Sequence, residues 1–144
     1  MGANTDPIYS RVADNSANAS TTLGPQLLAA ANDYTGVNAN NQLAFTADPT
    51  NGGYLQRLRF KAKGTNVQSV ARIYLNNGSD PTVAANNRLI DEVQMPATTI
   101  SATVPTPTID WMCNAPLAPG FRIYVGLSTA VAAGWDVTPF AGKY

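Results

Sequence analysis

The amino-acid sequence predicts an all-β domain, an antiparallel sandwich or barrel of about eight short strands that follows an extended N-terminal arm. Three observations lead to this prediction. Apolar and polar residues alternate at a period of two in several short runs. Clusters of glycine, asparagine, aspartate and proline separate these runs roughly every 10 to 20 residues. With 144 residues, of which 44% are hydrophobic and 12% charged, the chain has the size and composition of one folded domain.

Residues 1–25 are predicted to form the arm, and residues 26–144 the single sandwich domain. The arm is rich in small polar residues, and its apolar anchors are Ile8, Tyr9, Val12 and Leu23. Such a composition buries too little surface to order itself. Two interpretations stay open: a loose terminus, or a segment that docks on a neighbouring subunit. The candidate contact residues for docking are Ile8, Tyr9 and Arg11.

The clearest strand pattern has one apolar and one basic face. The apolar face comprises Leu58, Phe60 and Ala62, and the basic face comprises Arg57, Arg59, Lys61 and Lys63. The basic residues, which we call the basic strip, hold four of the nine positive charges and span about 20 Å of strand. They are interpreted either as a solubilising outward face that discourages edge aggregation, or as an electrostatic docking strip for an acidic partner surface.

The remaining strands are predicted, in chain order, at residues 26–31, 42–47, 67–75, 88–95, 109–113, 121–127 and 135–139. The first of these is the weakest, because its leucine and alanine residues also favour a helix. Turn residues separate the strands, notably at 48–53, 76–81, 118–120 and 132–134. Glycine and asparagine in such turns supply the positive φ angles that tight reversals require.

The sequence contains no histidine, one cysteine and one glutamate. It therefore has no Ser-His-Asp or Cys-His pair, no imidazole metal ligand and no internal disulfide. Asp91 and Glu92 are adjacent on a strand, so their side chains point to opposite faces and do not flank one substrate. Cys113 lies in a strand-like run and is interpreted as a small buried hydrophobe. We expect a protein that is not an enzyme and holds no cofactor.

Two turns contain oxygen-bearing side chains that resemble parts of a calcium loop. The first holds Asp48, Thr50 and Asn51, and the second holds Asn76, Asn77 and Asp80. A calcium loop of the EF-hand type also needs a closing acidic residue, and the twelfth position from Asp48 is Arg59. Both segments are therefore predicted to be plain turns.

The charges balance at nine against nine, which argues against binding to nucleic acid or to an anionic membrane. The first residues lack the features of a signal peptide, and no run approaches the roughly 20 apolar residues of a membrane helix. The chain is expected to be made in the cytosol.

Several segments resemble small structural proteins of tailed bacteriophages and prophages, in particular capsid decoration (cement) proteins. The segments that carry the resemblance are 51–61, 64–67, 71–79, 84–87, 117–125 and 131–135. The resemblance covers about residues 40–144 and implies a jelly-roll-like β-sandwich that forms a homo-oligomer, a dimer or trimer. It also implies binding to the major capsid protein on the capsid exterior, after synthesis in the host bacterial cytoplasm. The family supplies no catalytic residues.

The alternative function is a carbohydrate- or receptor-binding module of a phage tail or another virion component, because jelly rolls often bind such ligands. Trp111, Trp135 or the tyrosines are the residues that would stack on sugar rings. Both tryptophans lie in patterns typical of a core, which counts against this alternative.

Overall fold

The structure, a computed structural model, describes residues 12–18 and 22–144. Within these residues it contains eleven strands and one turn of 3-10 helix, Ala84–Asn86, but no α-helix and thus no helix that could span a membrane. The strands are β1 (Val12–Asp14), β2 (Ser16–Asn18), β3 (Thr22–Leu23), β4 (Gln26–Leu27), β5 (Gln42–Thr46), β6 (Gly53–Ala62), β7 (Ser69–Asn76), β8 (Asn87–Met95), β9 (Thr108–Leu117), β10 (Arg122–Leu127) and β11 (Trp135–Lys143).

Nine of the strands form two antiparallel sheets packed as a sandwich, and β2 and β3 form a separate two-stranded sheet. The larger sheet has the order β1-β11-β6-β9, with β4 also paired to β11, and the smaller sheet has the order β5-β10-β7-β8. The pairs β4–β11, β5–β10, β6–β9 and β7–β8 are nested in the sequence. The chain is thus one long hairpin rolled into two sheets, which is the jelly-roll arrangement. The predicted all-β sandwich is confirmed.

The eight predicted strands correspond to β4 through β11. The strand predicted at 26–31 ends at Leu27, and Ala30 forms only an isolated bridge to Leu127. The chain leaves the larger sheet at this point and crosses to the smaller one, which ends the pairing with β11. Three other strands extend beyond their predicted ends through residues such as Gly53, Pro116 and Gly142. Glycine and proline weaken the sequence signal of a strand, so the pattern underestimated these lengths.

The core lies between the inner faces of the two sheets. The apolar face of β6 is buried as its alternation predicts, with Leu58 and Phe60 fully inaccessible to solvent. From β7 and β10 the smaller sheet contributes Ile73 and Ile123, and β11 contributes the fully buried Trp135. Each fully buried side chain of this size stabilises the fold by about 1.5–3 kcal/mol.

The outer face of the smaller sheet is also covered, by the segment between β4 and β5. Tyr74 of β7 is fully buried on this face, and its hydroxyl donates to the carbonyl of Asp33 at 2.7 Å. Burial raises the pKa of Tyr74 to about 12. Arg72, 5% exposed, donates to Glu92 at 2.9 Å, and its guanidinium lies 4.0 Å from the ring centre of Tyr34. In the sequence, Arg72 and Tyr74 alternate with Ala71, Ile73 and Leu75, which assigns the two residues to the outer face of β7 but gives no sign that a loop buries them.

A single buried side chain, Asn66, joins three loops at one end of the sandwich. Its Oδ1 accepts hydrogen bonds from the backbone N–H groups of Ala133 and Gly134, at 2.9 and 2.8 Å. Its Nδ2 donates to Thr98 Oγ1 at 3.2 Å and to the Gly134 carbonyl at 3.1 Å. The connections β6–β7, β8–β9 and β10–β11 are thereby fixed relative to one another.

The described part of the N-terminal segment lies against the sandwich. β1 is the edge strand of the larger sheet and pairs with the end of β11. Asp14 forms an ion pair with Lys143 at 2.8 Å, Asn15 Nδ2 donates to the Pro139 carbonyl at 2.8 Å, and Ala17 is only 4% exposed. The larger sheet thus includes residues 12–14, which belong to the segment predicted as the arm.

Replacing Asn66 by alanine is expected to lower the free energy of unfolding by about 2–3 kcal/mol, because the N–H groups of Ala133 and Gly134 lose their acceptor in a buried site. Chemical denaturation monitored by tryptophan fluorescence measures this change. Gln68→Ala, which removes an exposed amide from the same turn, is the control. Equal and small losses in the two variants would contradict the role of Asn66.

The Asp14–Lys143 pair is expected to make the free energy of unfolding depend on pH in the acidic range. Burial alone would raise the pKa of Asp14, but hydrogen bonds from Lys143 and Ser16 outweigh it, so the pKa lies below its ordinary value of 3.8. The pair therefore stabilises the fold above about pH 4, and this contribution is lost as the pH falls through the lowered pKa. Melting temperatures between about pH 2 and 7 should show this loss in the wild type and a shallower profile in Asp14→Asn. Superimposable profiles would refute the prediction.

Candidate interaction surface

The basic strip lies on the outward face of the larger sheet, with Arg57, Arg59 and Lys61 in β6 and Lys63 directly after it. This strand is paired on both sides, with β11 and with β9. Edge protection, which is one part of the solubilising interpretation, therefore does not apply to this strand. The side chains are partly accessible, with Arg57 26% and Arg59 39% exposed.

Asp110 of β9 neutralises part of this strip. It lies directly opposite Arg59 in the strand register, and Arg59 Nε and Nη2 each donate to one of its carboxylate oxygens at 2.8 Å. Arg57 Nε lies 3.8 Å from the same carboxylate. The hydrogen bonds from Arg59 hold the pKa of Asp110 below its usual range. This bidentate geometry is among the more specific arrangements for an arginine–carboxylate pair.

Phe140 of β11 gives the two arginines a second contact. The guanidinium carbons of Arg57 and Arg59 lie 4.4 and 5.4 Å from the centre of the Phe140 ring. Both distances are within the range of a cation–π interaction. The arginines are therefore held flat against their own sheet rather than extended into solvent.

The lysines of the strip also have partners within the molecule. Lys61 Nζ donates to the carbonyl of Thr106. Lys63 Nζ lies 3.8 Å from Asp136 Oδ1, and both of these side chains are almost half exposed. The four cations of the strip and the two carboxylates of Asp110 and Asp136 together have a net charge of +2. The strip is thus a weaker electrostatic feature than the sequence alone suggested, because the compensating carboxylates come from neighbouring strands.

A groove of about 360 Å³ adjoins the strip on the same face. It lies over small residues of β1 and β11, and its lining residues are Ala13, Asn15, Tyr54, Gln56, Phe140, Ala141 and Gly142. The groove therefore combines two side-chain amides with two aromatic rings, of which the Phe140 ring already contacts Arg57 and Arg59. The other predicted contact residues, Ile8, Tyr9 and Arg11, lie outside the described residues.

Strand β9, which among the described strands pairs only with β6, is poorly suited to adding another strand. A bulge interrupts its pairing with β6 next to Asn114, which has a φ of 49°. Pro116 lacks an N–H, and Asp110 places a charge in the middle of the strand. Bulges, prolines and charges are the devices by which proteins protect sheet edges. At this side of the sandwich, Trp111 Nε1 donates to Asp91 at 2.6 Å and links β9 to β8.

The tryptophans named for sugar binding are not free to stack on a ligand. Trp135 is fully buried in the core, so the suggestion that it contacts a sugar is wrong. Trp111 is half-buried and packs against the core, with its N–H engaged by Asp91. Among the aromatic residues of the outward face, Tyr54 in the groove is the remaining candidate.

Other candidate sites have structural roles. Asp48 Oδ1 accepts hydrogen bonds from the backbone of Thr50 at 2.9 Å and of Asn51 at 2.8 Å, so this carboxylate closes its own turn. Cys113 is partly buried against the core, and burial raises the pKa of its thiol, which disfavours the reactive thiolate. Within residues 12–18 and 22–144, no group of three acidic, cysteine or histidine side chains is placed to hold a metal ion.

Comparison of the chain with protein-family models, curated proteins and solved structures finds no match. The function is therefore inferred from the fold, from the outward faces and loops, and from the segments that resemble decoration proteins.

Removing the carboxylate of Asp110 is expected to unmask the strip. Asp110→Asn should elute from a sulfonate cation exchanger at clearly higher salt than the wild type, because Arg57 and Arg59 lose their partner. Asp80→Asn makes the same change of net charge in a turn far from the strip and is the control. Because Asp110 is partly exposed, the free energy of unfolding should fall by no more than about 1 kcal/mol. Equal retention of the two variants would show that Asp110 does not mask the strip.

Proposed function

We propose that the protein is a structural virion protein, a capsid decoration (cement) protein of a tailed bacteriophage. It binds the major capsid protein on the outer surface of the capsid and stabilises the assembled shell. The observation that carries the proposal is the nested pairing of β4 through β11, since a jelly-roll-like sandwich is the fold that the resemblance implies.

The positions of the resembling segments support this proposal. The segment 51–61 lies almost wholly in β6, the segment 71–79 forms most of β7 and the following turn, and the segment 117–125 leads into β10. They therefore belong to the folded body of the sandwich and to its turns. The resemblance to decoration proteins therefore concerns the strands and turns of the sandwich.

The physical requirements of decoration also agree with this molecule. A decoration protein holds its partner through area and shape, and it is present in many copies on one shell. Weak individual contacts then add through multivalency, and binding to the assembled shell alone stabilises it by mass action. The sandwich supplies a stable body, with ordered loops at both ends and one broad outward face.

The groove favours a second candidate function. Tyr54, Gln56 and Asn15 combine an aromatic surface with amides that can bond hydroxyl groups. This is the chemistry by which a carbohydrate-binding module holds a sugar. As a tail or receptor-binding component the protein would be present in few copies and away from the capsid surface.

Copy number and position in the particle distinguish the two functions. Purified particles from cells that express the gene should contain the 15.2 kDa chain in an amount comparable to the major capsid protein. An electron-microscopic reconstruction should place the sandwich on the outside of the shell. A few copies on the tail would favour the carbohydrate- or receptor-binding module, and a chain found only in the cell lysate would refute both functions.

A further inference from the structure

The charged residues are distributed unevenly between the two ends of the sandwich. Residues 64–71, 93–109 and 123–135 contain no charged side chain. Apart from Lys63, whose side chain belongs to the basic strip and meets Asp136, these segments include the connections β6–β7, β8–β9 and β10–β11, which leave the antiparallel sheets at the same end. We call this the charge-free end. At the opposite end, the connections β5–β6 and β7–β8 contain Asp48 and Asp80.

Aliphatic side chains are exposed at the charge-free end. Ile100 and Val104, both in the β8–β9 connection, are 67% and 63% exposed, and Val67 in the β6–β7 connection is 56% exposed. Leu28, which follows β4, is 40% exposed, and its carbonyl accepts from Val131 N at 2.9 Å. Three of these residues thus come from loops that meet, and the fourth is bonded to a loop of the same end.

The loops that carry these side chains are held in place by hydrogen bonds. Asn66 joins all three connections, and the backbone N–H of Ile100 donates to Thr65 Oγ1 at 3.1 Å. Thr106 Oγ1 donates to the carbonyl of Ala62 at 2.8 Å. A surface ordered before binding loses little conformational entropy when a partner covers it.

From these observations we infer that the charge-free end is the surface that seats on an apolar, uncharged site of the repeating shell protein. This inference rests on the proposed function. An uncharged partner site matches this end, because burying a charged group of the partner against an uncharged surface would cost desolvation free energy. Removing Ile100, Val67 and Val104 from water supplies the driving force.

The size of the charge-free end decides between a shell and a second copy of the chain as the occupant. Four strands about 4.8 Å apart in two sheets about 10 Å apart give an end of about 20 by 20 Å, or roughly 400 Å². A stable one-to-one complex buries about 800 Å² on each partner. One such contact is therefore too small for an independent dimer, but it suffices on a lattice where many copies bind the same shell.

The test measures binding of the full chain to purified particles stripped of this protein, by cosedimentation at low and high salt. The Ile100→Asp/Val104→Asp variant is expected to bind at least about tenfold more weakly, since each side chain contributes apolar burial. Val83→Asp makes the same change of residue type at the opposite end, at a site 46% exposed, and should bind like the wild type. Wild-type affinity should change little with salt, because the contact is uncharged.

Each other outcome overturns a stated part of this inference. Unimpaired binding of the Ile100→Asp/Val104→Asp variant would refute docking through the charge-free end. Wild-type binding that is lost at high salt and in the Arg59→Ser/Lys61→Ser variant would assign docking to the basic strip. A wild type that does not bind stripped particles would refute the proposed function together with this docking. A dimer abolished by Val104→Asp in sedimentation velocity would place a second copy on this end. If the Asp variant fails to fold, Ile100→Asn/Val104→Thr provides the same comparison.

Discussion

Strand β11 is the element on which the rest of the sandwich depends. It pairs with β6 along its whole length and with β1 and β4 on its other side. Its first residue, Trp135, is fully buried in the core. Because β4 and β11 lie at opposite ends of the jelly roll in sequence, the larger sheet is completed only by pairing distant parts of the chain. Such long-range pairing makes folding slow, but it also joins the N-terminal strand, the basic strip and the charge-free end into one rigid body.

The same pairing decides how the charges are used. Asp110 and Asp136 come from the two strands that flank β6, and each meets cations of the basic strip. On the smaller sheet, Arg72 is paired with Glu92, the only glutamate in the chain. The cations of the basic strip and Arg72 therefore form ion pairs that help to hold neighbouring strands in register. The basic strip together with Asp110 and Asp136 offers a partner a net charge of +2.

The period-two pattern predicted the strands and the inner face of β6, because alternation reflects burial on one side of a strand directly. It could not predict that the loop after β4 buries Tyr74, since covering a second face depends on a distant segment. Nor could it pair Arg59 with Asp110, because that contact requires the order of strands within the sheet. The charge-free end could be found from the sequence, as three uncharged stretches, only once the topology had shown that they meet. Ile8, Tyr9 and Arg11 remain predictions.

The two candidate surfaces differ in what a partner must displace. A carboxylate that binds the basic strip competes with Asp110, with the carbonyl of Thr106 and with Asp136, so each new ion pair replaces an existing contact. Exchanging one partner for another yields little net free energy. At the charge-free end the amide of Asn66 is already bonded within the molecule. The exposed side chains there are uncharged, and the aliphatic Ile100, Val104 and Val67 lie among exposed threonines and serines. A partner there displaces no ion pair, and the apolar part of the contact gains about 25 cal/mol per Å². The energetic balance therefore favours the end of the sandwich over its face as the docking surface.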